Sequence, residues 1–141
     1  MYKKILLPLE NSPADQAILD HIKPLARLCQ SELVLVHVAD GFVARNQERL
    51  NLQDSEEMRL DREYLERVQE ELMQQGFKSR SVLLCGDPAR ELLNFAQEAG
   101  CDLIAMATHG HRFLADLVLG SVAEHVRHRI GIPILMVRAR R

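Results

Sequence analysis

The sequence predicts an α/β fold on a parallel sheet, and three observations carry that prediction. Five short runs are almost wholly apolar or become so: Lys4–Leu9, Glu32–Val38, Lys78–Cys85, Leu103–Ala107 and Ile134–Val137. Runs of this kind suit strands buried on both faces. Segments with helical periodicity or clear helix punctuation alternate with them. Such alternation gives a parallel sheet with right-handed crossovers.

The elements follow in order. After the first strand comes Asn11-Ser-Pro-Ala-Asp15, in which Ser12 reads as an N-cap, Pro13 as the first helical residue and Asp15 as the partner in a capping-box-like pattern. Ile18, Ile22, Leu25 and Cys29 then recur at helical spacing. Pro24 interrupts this helix at a cost of about 3 kcal/mol unless the chain bends, so a kink is expected there. The second strand is Glu32–Val38, with His37 as a hydrogen-bonded core residue, and residues 39–54 read as a loop. Residues 55–75 form a strong helix with a buried stripe of Met58, Leu65, Val68 and Leu72, flanked by Leu60 and Tyr64. Its wet face carries Arg59/Glu63, Arg62/Glu66, Glu63/Arg67 and Arg67/Glu71 four residues apart. Gly76 ends it. The third strand becomes apolar late, which suits a sheet edge. Asp87 caps the next helix with Pro88 in its first turn, Leu92, Phe95, Ala96 and Ala99 face inward, and Gly100 stops it. The fourth strand follows, then a helix over residues 121–128, then the fifth strand, entered through Pro133.

Composition sets limits. The chain has 141 residues, 47% hydrophobic and 27% charged, which predicts one soluble domain over residues 1–141. Aromatics are 4% and Trp is absent, so the core is aliphatic. A net charge of −2 argues against nucleic acid or an anionic membrane as partner. No run is long enough to span a bilayer, and the N-terminal apolar run is too short for a signal peptide, which points to the cytoplasm. Cys29, Cys85 and Cys101 show no paired spacing and read as reduced thiols packed as small hydrophobes.

The chemistry concentrates in residues 107–121, Ala-Thr-His-Gly-His-Arg-Phe-Leu-Ala-Asp-Leu-Val-Leu-Gly-Ser. Gly110 follows the fourth strand, on the side of an α/β sheet where ligands bind, and permits a left-handed turn or a close backbone approach. Gly120 and Ser121 open the last helix, whose unpaired N–H groups and dipole attract anions. His111 and Arg112 can neutralise phosphate charge. The same residues also suit an ordinary turn and an ordinary helix start.

Met1–Pro8, Leu35-Val-His-Val38, Gly86-Asp-Pro88, Asp102–Met106, Leu119-Gly-Ser-Val-Ala-Glu-His-Val126 and Pro133–Val137 together resemble the universal stress proteins, over essentially the whole chain. The nucleotide-binding branch of that family carries Gly-x2-Gly-x9-Gly-Ser/Thr. Here Gly110, Gly120 and Ser121 match it, and Ala107 stands at the first glycine. The resemblance implies a Rossmann-like three-layer sandwich with strand order 3-2-1-4-5. It implies a homodimer through the last strand and an adenine nucleotide as ligand: ATP with or without Mg²⁺, or AMP or ADP. By position, Gly110, Gly120, Ser121 and Val122 would hold phosphates and Val38 would offer backbone bonds to adenine. Leu9 and Glu10 would lie near ribose and phosphates, with Met106 and Ala107 lining the same cleft. The family usually has Asp where this chain has Glu10. At Ala107 the added methyl is tolerated if the residue is extended; at positive φ it costs about 1 kcal/mol or more.

The resulting reading is a regulatory nucleotide-binding protein acting on a protein partner. The alternatives are a nucleotide-free dimeric module that lost binding through Ala107 and Glu10, and a slow ATP hydrolase using Glu10. The pairs His109/His111 and His125/His128 lack acidic or Cys companions at metal-site spacing. Neither a Gly-x-Ser-x-Gly elbow nor a Walker A loop is present.

Overall fold

The computed structural model describes residues 1–40, 56–108 and 131–139. In chain order the elements are β1 (Lys4–Pro8), α1 (Ala14–Cys29), β2 (Glu32–Asp40), α2 (Glu56–Gln74), β3 (Lys78–Gly86), α3 (Pro88–Glu98), β4 (Leu103–Ala107) and β5 (Ile134–Val137). The strands form one sheet in the order β3-β2-β1-β4-β5, and all four neighbouring pairs are parallel. Register is explicit: Leu6 lies beside Val34 on one side and Ile104 on the other. The order reverses between β1 and β4, the position where open α/β sheets accept ligands.

Side chains alternate between the two faces of the sheet. Ile5, Leu7, Leu9, Leu33, Leu35, Leu103, Ala105 and Ala107 pack with Ile18 and Ile22 of α1 and Leu65, Val68 and Leu72 of α2. Leu6, Val34, Val36, Val38, Ile104 and Met106 pack instead with Ala89, Leu92, Leu93 and Ala96 of α3. Both faces of the central strands are therefore buried, and this explains their unbroken apolar runs. β3 is an edge strand, as its late apolar onset predicts.

One device turns the chain from each helix into the next strand. The N–H of Gly76 donates to Met73 O and that of Phe77 to Leu72 O, both at 3.0 Å. Gly100 and Cys101 repeat the arrangement at the end of α3, and Gln30 and Ser31 at the end of α1. A left-handed residue closes the turn in each case, with φ of 92° at Gly76, 73° at Gly100 and 54° at Gln30. Asp87 caps α3 as predicted, accepting the Arg90 N–H at 3.1 Å with Pro88 in the first turn.

Four expectations need correction. Helix α1 begins at Ala14, with Pro13 rather than Ser12 in the cap position. Asp15 bonds more closely to Glu10 and Asn11 than to the Ser12 N–H that a capping box would engage. Ala39 and Asp40 belong to β2 because they pair with Cys85 and Gly86, so the loop expected over residues 39–54 does not hold for these two. Cys85 is exposed rather than packed, since it lies near the end of an edge strand. Helix α1 continues past Pro24 to Cys29, as its apolar stripe requires. The expected helix over 121–128, Gly110, His111, Arg112, Gly120, Ser121, Val122 and the pairs His109/His111 and His125/His128 lie outside the described residues.

Candidate functional site

The carboxyl ends of β1, β2 and β4 bring together Leu9, Glu10, Val38, Met106 and Ala107, all buried. The β1–β4 ladder spans only Ile5–Leu6 against Leu103–Ile104, so ladder bonds do not tie the ends of these strands. In open α/β sheets a ligand crevice forms at such a position. The β1–β2 ladder likewise ends at Pro8 beside Val36, while β2 runs on to Asp40. Val36 O accepts the Leu9 N–H at 2.8 Å, so Val36 directs its backbone groups toward β1. Two residues on, Val38 directs its own groups the same way, beyond the end of that ladder. Its backbone is thus aimed past the end of the β1–β2 ladder.

Ala107 resolves the question raised by its methyl group. It is a strand residue paired with Val137, and it is not among the residues of positive φ. Its side chain is buried in the cluster that contains Leu9, Ala14 and Ile18. The methyl is accommodated in the core, without backbone strain.

The turn from β1 into α1 is organised around Asp15, which is 2% exposed. Its Oδ1 accepts the Glu10 N–H at 2.9 Å, and its Oδ2 accepts the Asn11 N–H at 2.9 Å and the Tyr64 hydroxyl at 2.7 Å. The Ser12 N–H lies 3.4 Å from the same Oδ2. Converging backbone N–H groups of this kind make an anion nest. Here the nest already holds the chain's own carboxylate. The first N–H groups of α1 are also used locally: Ala14 donates to Ser12 Oγ, Asp15 to Ser12 O and Gln16 to Pro13 O. The start of α1 is therefore closed to phosphate, and Asp15 would repel one. Glu10, 5% exposed, accepts the Ser12 hydroxyl on Oε2 at 3.1 Å.

Burial and its bond to Asp15 push the Tyr64 phenol well above its ordinary range, burial being the larger cause. Beside it, His37 bridges two elements. Its Nδ1 lies 2.7 Å from Leu9 O and its Nε2 lies 3.1 Å from Asp61 Oδ2. Asp61 Oδ1 accepts from the Asn11 side-chain amide at 3.3 Å. His37 is hydrogen-bonded within the core, as its apolar strand suggested. Asp15, Asp61, Asn11 and Tyr64 escaped the sequence reading as site residues. A signal for Asp61 was present: it occupies the stripe position between Met58 and Leu65, where an aliphatic residue belongs. Among the described residues, no group of His, Cys, Asp and Glu has the arrangement of a metal site, and no helix is long and apolar enough to cross a membrane.

Known proteins agree with this geometry. The family model of the universal stress proteins matches residues 1–138. Universal stress protein MJ0577 of Methanocaldococcus jannaschii is 30% identical over 155 residues, covering 98% of this chain and 96% of its own. The solved structure of MJ0577 superposes with a TM-score of 0.79 at 32% identity, covering 100% of this chain and 99% of that one. A universal stress protein from Archaeoglobus fulgidus, solved in complex with dAMP, has a TM-score of 0.66 at 19% identity and covers 96% of this chain and 97% of its own. Another, solved in complex with cAMP, has a TM-score of 0.67 at 17% identity and covers 99% and 98%. At these last two identities the likeness is one of fold. With sheet order, strand register and family match in agreement, the chain belongs to the universal stress protein family.

Proposed function

We propose that this protein binds an adenine nucleotide, ATP in the first instance, in the crevice at the ends of β1, β2 and β4, and acts as a nucleotide-responsive regulator. The observation that carries the reading is the Val38 backbone, aimed past the end of the β1–β2 ladder, beside the point where the strand order reverses. The base bonds to the Val38 backbone. The ribose lies toward Leu9 and Glu10. The closed start of α1 leaves the phosphates to Gly110, Gly120, Ser121 and Val122, with His111 and Arg112 supplying positive charge. Glu10 would be the residue to hold a Mg²⁺ bound with the phosphates.

Two solved proteins of the same fold bind dAMP and cAMP, which supports an adenylate as the ligand class. The alternative of lost binding rested partly on Ala107, and its buried, unstrained methyl weakens that support. β5 lies at the sheet edge with Met136 exposed, which suits pairing of two copies through the last strand. A cytoplasmic dimer whose surface changes with nucleotide is the resulting picture. A Gly120→Val variant tests it: the protein is expected to fold and to lose ATP binding. Unchanged affinity in that variant would remove the glycine segment from the site.

A further inference from the structure

Asp61 raises the problem. It is 8% exposed and lies on the buried stripe of α2, among Met58, Leu65 and Val68. A leucine there would pack without the desolvation that a carboxylate suffers. The carboxylate is retained with two specific partners, the His37 ring and the Asn11 amide. Both partners lead to the same short piece of chain. His37 Nδ1 meets Leu9 O and Nε2 meets Asp61 Oδ2; both oxygens accept, so both ring nitrogens donate in this clamp. Asn11 is left-handed, with φ of 62°, in a turn that also contains Glu10.

We propose that His37 and Asp61 are positioning residues for the nucleotide crevice, clamping the Leu9–Asn11 turn against α2. The inference rests on the nucleotide reading above. The clamp joins two walls of the crevice: the turn that carries Leu9 and Glu10, and the strand on which His37 directly precedes Val38. Asp15 fixes the turn through its backbone N–H groups, whereas the clamp fixes it through the Leu9 carbonyl and the Asn11 side chain. The two sets of bonds share no atom of the turn. Loss of the clamp therefore loosens the receiving surface while the Asp15 bonds persist.

Two substitutions at one position separate positioning from packing. Asp61→Leu completes the apolar stripe and abolishes the clamp. It is expected to melt at or above the wild-type temperature, yet to bind ATP at least about tenfold more weakly. Asp61→Asn keeps an oxygen for Asn11 and offers an N–H to His37 Nε2. It is expected to bind within about threefold of wild type. Hydrogen exchange of the Asn11 side-chain amide in the nucleotide-free protein should quicken in Asp61→Leu and stay slower in Asp61→Asn, while the Glu10 and Asn11 backbone amides stay protected by Asp15 in both. His37→Phe fills a similar volume without either bond and should reproduce the loss of affinity. Equal ATP affinity in wild type, Asp61→Leu and His37→Phe would overturn the clamp and leave the nucleotide reading standing. Absence of ATP binding by the wild type would overturn both.

Discussion

Tyr64 on α2 donates its hydroxyl hydrogen to Asp15 Oδ2 across 2.7 Å and so ties the β1–α1 turn to a residue 49 positions further along the chain. A buried carboxylate that already holds the Glu10 and Asn11 N–H groups gains a neutral donor, with no added charge.

Tyr64→Phe removes that donor and should destabilise the protein by about 1.5–3 kcal/mol, the range for bonds to a charged group. The pH dependence has a definite sign. The folded-state value of the phenol is raised above the ordinary 10.0, so its contribution is fully present below about pH 10 and is lost as pH rises through the raised value. Urea unfolding between pH 8 and about pH 11 should show this loss in the wild type and a smaller one in Tyr64→Phe.

Thiol labelling should follow burial. Cys85 is exposed, whereas Cys101 is 5% exposed and burial pushes its thiol above the ordinary value. Less of Cys101 is thiolate at any given pH, and the thiolate is the reactive form. Iodoacetamide at about pH 8, followed by peptide mass spectrometry, should modify Cys85 first and Cys101 only on unfolding. Comparable rates at the two positions in the folded protein would contradict the packing described around Cys101.

Gln30 is the non-glycine among the three left-handed residues that end α1, α2 and α3. A side chain in that conformation costs about 1 kcal/mol relative to glycine. Gln30→Gly should therefore raise stability by roughly 0.5–1 kcal/mol, after the added freedom of the unfolded chain is counted. Chemical denaturation measures it directly.

Ala107→Gly should lower stability by about 1–2 kcal/mol, from a lost buried methyl and a freer backbone. It should change ATP affinity by less than about threefold, because the methyl packs in the core with Leu9 and Ile18. A gain of tenfold or more would mean that the methyl crowds the ligand.

The central strands are legible because both of their faces are covered, so their runs are apolar with little interruption. Gly76, Asp87, Pro88 and Gly100 marked helix ends because each acts through its own backbone geometry. The turn from β1 into α1 was not legible in the same way. Asp15 looks like a capping residue from its local spacing, yet its principal bonds run back to Glu10 and Asn11 and across to Tyr64. Asp61 looks like a misfit in an apolar stripe until His37 and Asn11 are brought beside it from 24 and 50 residues away. Local periodicity reports what a helix buries, and long-range polar pairs have no period to report. Leu9, Val38, Met106 and Ala107 are named as candidates from family resemblance alone, and the strand register adds only the direction of the Val38 backbone.

Titration calorimetry of the nucleotide-stripped protein with ATP and Mg²⁺ tests the nucleotide reading most directly. The expected result is saturable micromolar binding, about −8 kcal/mol, with a matching rise in melting temperature. Absence of heat and of thermal stabilisation at millimolar ATP would contradict it and make the crevice a structural feature of a nucleotide-free module.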